Sequence, residues 1–71
     1  MKTGFHKKIY PVAAVKAAVE AFSEIAKISV TKDGSYTIVD LESGDPAEDA
    51  EYLGEFGNFV LGETISMRGV K

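Results

Sequence analysis

Two alternating runs, "AKISVTK" and "SYTIVDLES", flank Asp33-Gly34. An Asp-Gly step in that setting is a strong hairpin signal, because a type I′ turn needs positive φ at both central residues. A two-residue loop at Asp33-Gly34 predicts Lys32 opposite Ser35, Thr31 opposite Tyr36, Val30 opposite Thr37, Ile28 opposite Val39, Lys27 opposite Asp40 and Ala26 opposite Leu41. One face then carries Ala26, Ile28, Val30, Val39 and Leu41, and the other pairs Lys27 with Asp40. A three-residue loop would reverse the parity and turn Asp40 onto the apolar face. Tyr36 and Ile38 are left on the outer face among polar neighbours.

The hairpin has a helix on either side of it in sequence. "FHKKIY" alternates, with Phe5, Lys7 and Ile9 on one side and His6, Lys8 and Tyr10 on the other, which predicts a short first strand. Pro11 is expected at the first helical position, where its missing N–H is not needed. "PVAAVKAAVEAFSEI" follows as a helix, with Val12, Val15, Val19 and Phe22 at helical spacing and alanines between them that favour helix and close packing. The second helix starts at "SGDPAED", with Asp45 as N-cap, Pro46 next and Glu48 three residues after the cap in a capping-box arrangement. Its inner stripe is expected to be Leu53, Phe56, Val60 and Met67, with Tyr52, Phe59 and Ile65 on the shoulders. Gly69 marks its expected end, and Lys71 is expected in a solvated tail.

The order strand, helix, strand, strand, helix predicts one α+β domain over residues 1–71. A strand-helix-strand crossover joins parallel strands. The third strand, antiparallel to the second, therefore falls between the other two, with both helices on one face. This two-layer β-α-β-β-α arrangement is a split β-α-β, half of a ferredoxin-like fold lacking its last strand.

A chain of 71 residues buries only about 60% of the surface its unfolded form exposes. It has no Cys and a single His, so neither a disulfide nor a zinc site is expected to supplement the core. No run approaches the roughly 20 apolar residues that span a bilayer, and "MKTGFHKKIY" lacks the apolar core of a signal peptide. The expected location is cytoplasmic.

The formal charge of −3 disfavours a dedicated nucleic-acid binder, which needs a basic surface. Positive charge gathers at Lys2, Lys7, Lys8 and Lys16, and acids crowd from Asp40 to Glu55. That polarity reads first as solvation of two faces, with an acidic docking surface as the alternative.

No catalytic, cofactor or metal set emerges. His6 lacks a matched nucleophile, and Ser23, Ser29 and Ser35 lack a matched histidine. Glu48, Asp49, Glu51 and Glu55 are accounted for by solvation and by the positive end of the helix dipole. Gly54-Glu55-Phe56-Gly57 matches the G-x-x-G form of a KH loop, but its setting is acidic rather than basic.

Gly54, Gly57 and Gly62 interrupt the second helix pattern at about 1 kcal/mol each relative to alanine. Either the helix breaks there, or backbone comes close to another element, the first helix or a second subunit. The second option makes Gly54 and Gly57 candidate contact residues.

"YPVAAVKAAVEAF" and "EFGNFVL" together resemble HxsD, the small protein of the His-Xaa-Ser repeat system, with this chain as a distant member. The matching positions are Tyr10, Pro11, Ala14, Val15, Phe22, Glu55, Phe56, Asn58 and Leu61. It departs from the family pattern at Val12, Ala13, Gly57 and Ser66. The resemblance implies a non-catalytic companion of a radical S-adenosylmethionine maturase that modifies a repeat-bearing peptide. Such a protein acts by binding a protein or peptide, with candidate contacts at Tyr36, Ile38, Gly54, Gly57 and Asn58. The alternative expectation is a structural homodimer without enzymatic role.

Overall fold

The computed structural model describes residues 1–68; Gly69 and Lys71, the expected helix end and tail, lie outside them. The elements are β1 (Lys2–His6), α1 (Val12–Phe22), β2 (Lys27–Asp33), β3 (Tyr36–Glu42) and α2 (Pro46–Met67). The sheet order is β1-β3-β2, with β3 antiparallel to both neighbours, as the connectivity predicts. Both helices cover the face that carries Phe5, Val39 and Leu41. They complete one core with Ala14, Val15, Ala18, Phe56 and Val60.

The hairpin turn sits one residue later than expected. Asp33 opposes Tyr36, Val30 opposes Val39 and Ile28 opposes Leu41, so the two-residue loop is Gly34-Ser35. Gly34 has φ +58°, and no residue other than glycine has positive φ among the described residues. Positive φ at the first central position alone is the pattern of a type II′ turn, which asks nothing unusual of Asp33. The shift moves the register by two residues and keeps its parity. The inward face is the predicted one, but Leu41 now meets Ile28 instead of Ala26, a larger apolar cross-strand pair. Lys27 opposes Glu42 rather than Asp40.

β1 lies earlier than "FHKKIY". Lys2 opposes Asp40 and Phe5 opposes Thr37, and the Leu41 amide donates to the Met1 carbonyl at 2.8 Å, so the ladder with β3 is filled by residues that precede the alternating run. After His6 the chain turns, with the Ile9 and Tyr10 amides donating to the His6 carbonyl at 3.0 and 2.8 Å. Lys7 and Ile9 therefore do not share a strand face with Phe5. Pro11 is the N-cap of α1 (φ −57°, ψ 143°) rather than its first residue. Its carbonyl accepts from Ala14 and Val15 at 3.0 and 3.3 Å. α1 stops at Phe22, short of the predicted Ile25, and one further turn follows in which the Ile25 and Ala26 amides donate to the Phe22 carbonyl, each at 3.2 Å.

α2 runs unbroken for 22 residues. Asp45 caps it, its Oδ1 accepting from the Ala47 amide at 2.9 Å. The reciprocal bond of the expected capping box, from the Asp45 amide to Glu48, is not made among the described residues; the Asp45 amide donates to the Ser43 hydroxyl at 3.4 Å. Asp49 is only 8% exposed, and it accepts from the Ser43 amide at 2.6 Å and from the Ser43 hydroxyl. The two Ser43 hydrogen bonds hold its carboxyl below the ordinary value of 3.8, since donors favour the charged form. Gly44, with φ +100°, makes the corner between Ser43 and the cap. Asp49 thus ties the end of β3 to the first turn of α2 and is not the solvated carboxylate that its position suggests.

Thr37 is fully buried beneath the helices, and its hydroxyl has no hydrogen-bond partner among the described residues. Thr37→Val removes an unpaired buried polar group at nearly constant shape and is expected to raise unfolding stability by about 1 kcal/mol, measured by urea denaturation. Asp49→Asn is expected to lower stability at neutral pH. A carboxyl held below its unfolded value contributes fully above that value and loses its contribution as pH falls through the folded one. The gap between Asp49→Asn and wild type in thermal melts should therefore narrow as pH drops through and below 3.8.

Candidate interaction surfaces

The sequence-predicted contact residues fall on two separate surfaces. Tyr36 and Ile38 are on the outer face of the sheet. Gly54, Gly57 and Asn58 are on α2, in the opposite layer.

The outer face is a grid set by strand register. Tyr36 lies between His6 and Asp33, Ile38 between Gly4 and Thr31, and Asp40 between Lys2 and Ser29. Gly4 leaves room here for its neighbours on β3. A Cβ on it would stand 3.3 Å from Ile38 Cδ1 and 3.4 Å from Tyr36 Cδ1, so both side chains lean towards β1. Tyr36 also meets the His6 ring edge-on at 5.0 Å. The lean leaves an open depression of about 360 Å³ on the β2 side, lined by Lys2, Ser29, Thr31, Lys32, Asp33, Ile38 and Asp40. These residues bring two amines, two carboxylates, two hydroxyls and one half-buried aliphatic side chain. His6 lies across Tyr36 from Asp33, and its Nδ1 accepts from the Lys8 amide at 3.2 Å. The arrangement suits hydrogen bonding to an extended chain.

β2 bounds the depression and is an edge strand of the sheet. Val30 is the residue that sequence reasoning missed. It lies on the helix side of the sheet, opposite the fully buried Val39, and yet is 42% exposed. The helix layer stops short of the β2 edge, so an apolar side chain of the inward set remains in solvent. Composition and alternation place Val30 in the core, and only the lateral position of the helices reveals its exposure.

On α2, Gly54 and Asn58 are exposed and Gly57 is half-buried. A Cβ at Gly54, Gly57 or Gly62 would meet nothing within 4 Å. Close packing of these glycines on α1 is thus not what they serve. α1 instead meets α2 through Phe22, whose ring lies 5.5 Å from Phe56 and 6.0 Å from Phe59. The Asn58 side-chain carboxamide makes no hydrogen bond among the described residues. No helix among them is long and apolar enough to cross a membrane.

No protein-family model matches the chain, and comparison with curated proteins and with solved structures returns no match either.

Gly62 is exposed with open space around its Cα, so Gly62→Ala is expected to stabilise the fold by about 0.5 to 1 kcal/mol, read as a rise in the thermal midpoint.

Proposed function

We propose that this chain is a small non-catalytic adaptor that receives an extended peptide segment on the edge of β2. The exposure of Val30 carries the reading. An inward-facing valine on an unpaired edge is what an added strand would cover, and strand addition supplies main-chain hydrogen bonds along β2 with side-chain pockets at alternate positions. An incoming strand would set one row of side chains beside Val30 and Ile28. Its other row would lie over the depression, against Ser29, Thr31 and Asp33. Lys27 and Lys32 on the same strand discourage indiscriminate edge pairing and favour segments that carry carboxylates. Ile38 forms the floor of the depression, and Tyr36 borders it.

The resemblance to HxsD proteins gives this adaptor a context: a companion of a radical S-adenosylmethionine maturase in a cytoplasmic peptide-modification system, presenting the repeat-bearing substrate or docking on the maturase. In that reading the chain holds no cofactor of its own.

The test is titration of the isotope-labelled chain with a synthetic peptide of His-Xaa-Ser repeats and, separately, with the maturase, followed by amide chemical shifts. Perturbation is expected along β2 and at Ile38. Val30→Asp, a change at an exposed position with little effect on folding, is expected to weaken binding by about tenfold or more, the loss of one apolar contact in a strand interface. Binding that leaves β2 unperturbed, or that Val30→Asp does not weaken, would refute the edge-strand site.

A further inference from the structure

We infer that the outer face of α2 is a homodimer interface, on which a second copy of this chain packs its own α2 antiparallel about a two-fold axis next to Gly57. This does not rest on the strand-edge reading, which concerns the opposite layer. The helical period puts Ala47, Ala50, Gly54, Gly57, Leu61 and Ile65 on one side of α2, away from the Phe59 shoulder that meets α1. All are exposed except Gly57, which is half-buried, and Leu61 and Ile65 are 45% and 47% exposed. This face is apolar along its length but uneven in size. Its first half is alanine and glycine with open space above each glycine, and its second half is two large aliphatic side chains.

A partner helix running in the same direction would set small against small and large against large, leaving a void at one end. Reversed about a point between Gly57 and Asn58, the same face complements itself. Leu61 then lies over the partner copy's Gly54 position, Ile65 over the Ala50 position, and Arg68 comes level with the Ala47 position. The self-complementarity of a two-fold contact is what an isologous dimer requires.

Charge is also uneven along the same axis and selects the same occupant. Asp45 caps α2 and Glu48, Asp49, Glu51 and Glu55 follow in its first half, whereas its second half holds one acid, Glu63. At its far end the Arg68 guanidinium donates to the Ile9 carbonyl at 2.8 Å, which holds the β1–α1 turn and Lys8 beside the helix terminus. Antiparallel pairing brings this basic end towards the acidic half of the second copy and keeps the two acidic halves apart. Parallel pairing superimposes them. α2, at 22 residues, is about 33 Å long and runs nearly the full 37 Å length of the molecule, so the contact uses the whole long side.

Sedimentation velocity across a concentration series reaching about 1 mM is expected to show a monomer–dimer equilibrium that weakens as salt rises and screens the charged ends. Gly57→Leu fills the point of closest approach, while its Cβ meets nothing within 4 Å in the monomer. It is expected to weaken dimerisation by about tenfold or more, as is Leu61→Asp, with the circular dichroism of the fold retained in each.

The chain has no cysteine, so orientation is readable by oxidation. Gly54→Cys mixed with Leu61→Cys is expected to give a mixed disulfide dimer, with little crosslinking of either variant alone. Self-crosslinking of each variant alone would indicate a parallel pair and overturn the proposed geometry. A wild-type monomer throughout the series, or a dimer untouched by both Gly57→Leu and Leu61→Asp, would overturn the interface.

Discussion

Phe56 is where the two layers of this protein close on each other. It is fully buried on α2, and its ring centroid stands 5.9 Å from Phe5 of β1 and 5.5 Å from Phe22 at the end of α1. One side chain therefore fixes α2 over the sheet and against α1 at once. A buried phenylalanine is worth about 3 to 5 kcal/mol against alanine, and the net stability expected for a domain of this size is near 5. Among the described residues the core has eight buried hydrophobics, and Phe5 is the other buried phenylalanine, itself packed on Phe56. The Asp45 cap and the Asp49–Ser43 bonds then act on an element whose placement Phe56 has already determined. They set where α2 begins and how it leaves β3.

The inward parity of the hairpin, the central position of β3 and the start of α2 at Asp45-Pro46 were all legible in the sequence, because each follows from a local rule with little competition. Parity survives a two-residue slip, and so the inward set was right although the turn was placed one residue early. The slip was not legible. Asp33-Gly34 and Gly34-Ser35 are both acceptable loops, and the choice turns on which loop aligns Ile28 and Val30 with Leu41 and Val39. β1 was misplaced for a related reason. "FHKKIY" has the alternation of a strand, but the ladder with β3 is already filled from Lys2 onwards, and Pro11 must be reached through a turn. Asp49 was hidden because a carboxylate in a first helical turn is adequately explained by the dipole, and its partner, Ser43, lies six residues back across a glycine corner. Of the candidate contact residues, Tyr36 and Ile38 could be placed on the outer face by parity alone. No local pattern could report that Val30 emerges from beneath the helices.

Antiparallel pairing in the order β1-β3-β2 gives β3 two neighbours and leaves each outer strand with one unpaired edge. The helices answer this unequally. Tyr10 of the β1–α1 turn and Phe56 of α2 gather at Phe5 of β1, whereas β2 has Ile28 half-buried and Val30 exposed. The sheet is thus better covered on its β1 side. Lys27 and Lys32 fit that asymmetry, since charge on an under-covered edge keeps it from pairing at random. A two-layer fold of this length has too little mass to shield both edges and one whole sheet face.

The glycines of α2 carry the same logic into the helical layer. Three glycines in a helix interior cost about 3 kcal/mol relative to alanine, and the monomer gains no packing from any of them, because the space above each is empty. Folding alone would favour alanine at all three positions. Gly54 and Gly57 differ from Gly62 in sharing a side of the helix with Leu61 and Ile65, two aliphatic residues that the monomer also leaves unsatisfied. Excess apolar bulk and missing bulk on one continuous face, at opposite ends, are complementary defects. A second copy in reversed orientation removes both, whereas no rearrangement within one chain can bring a helix into contact with its own outer face.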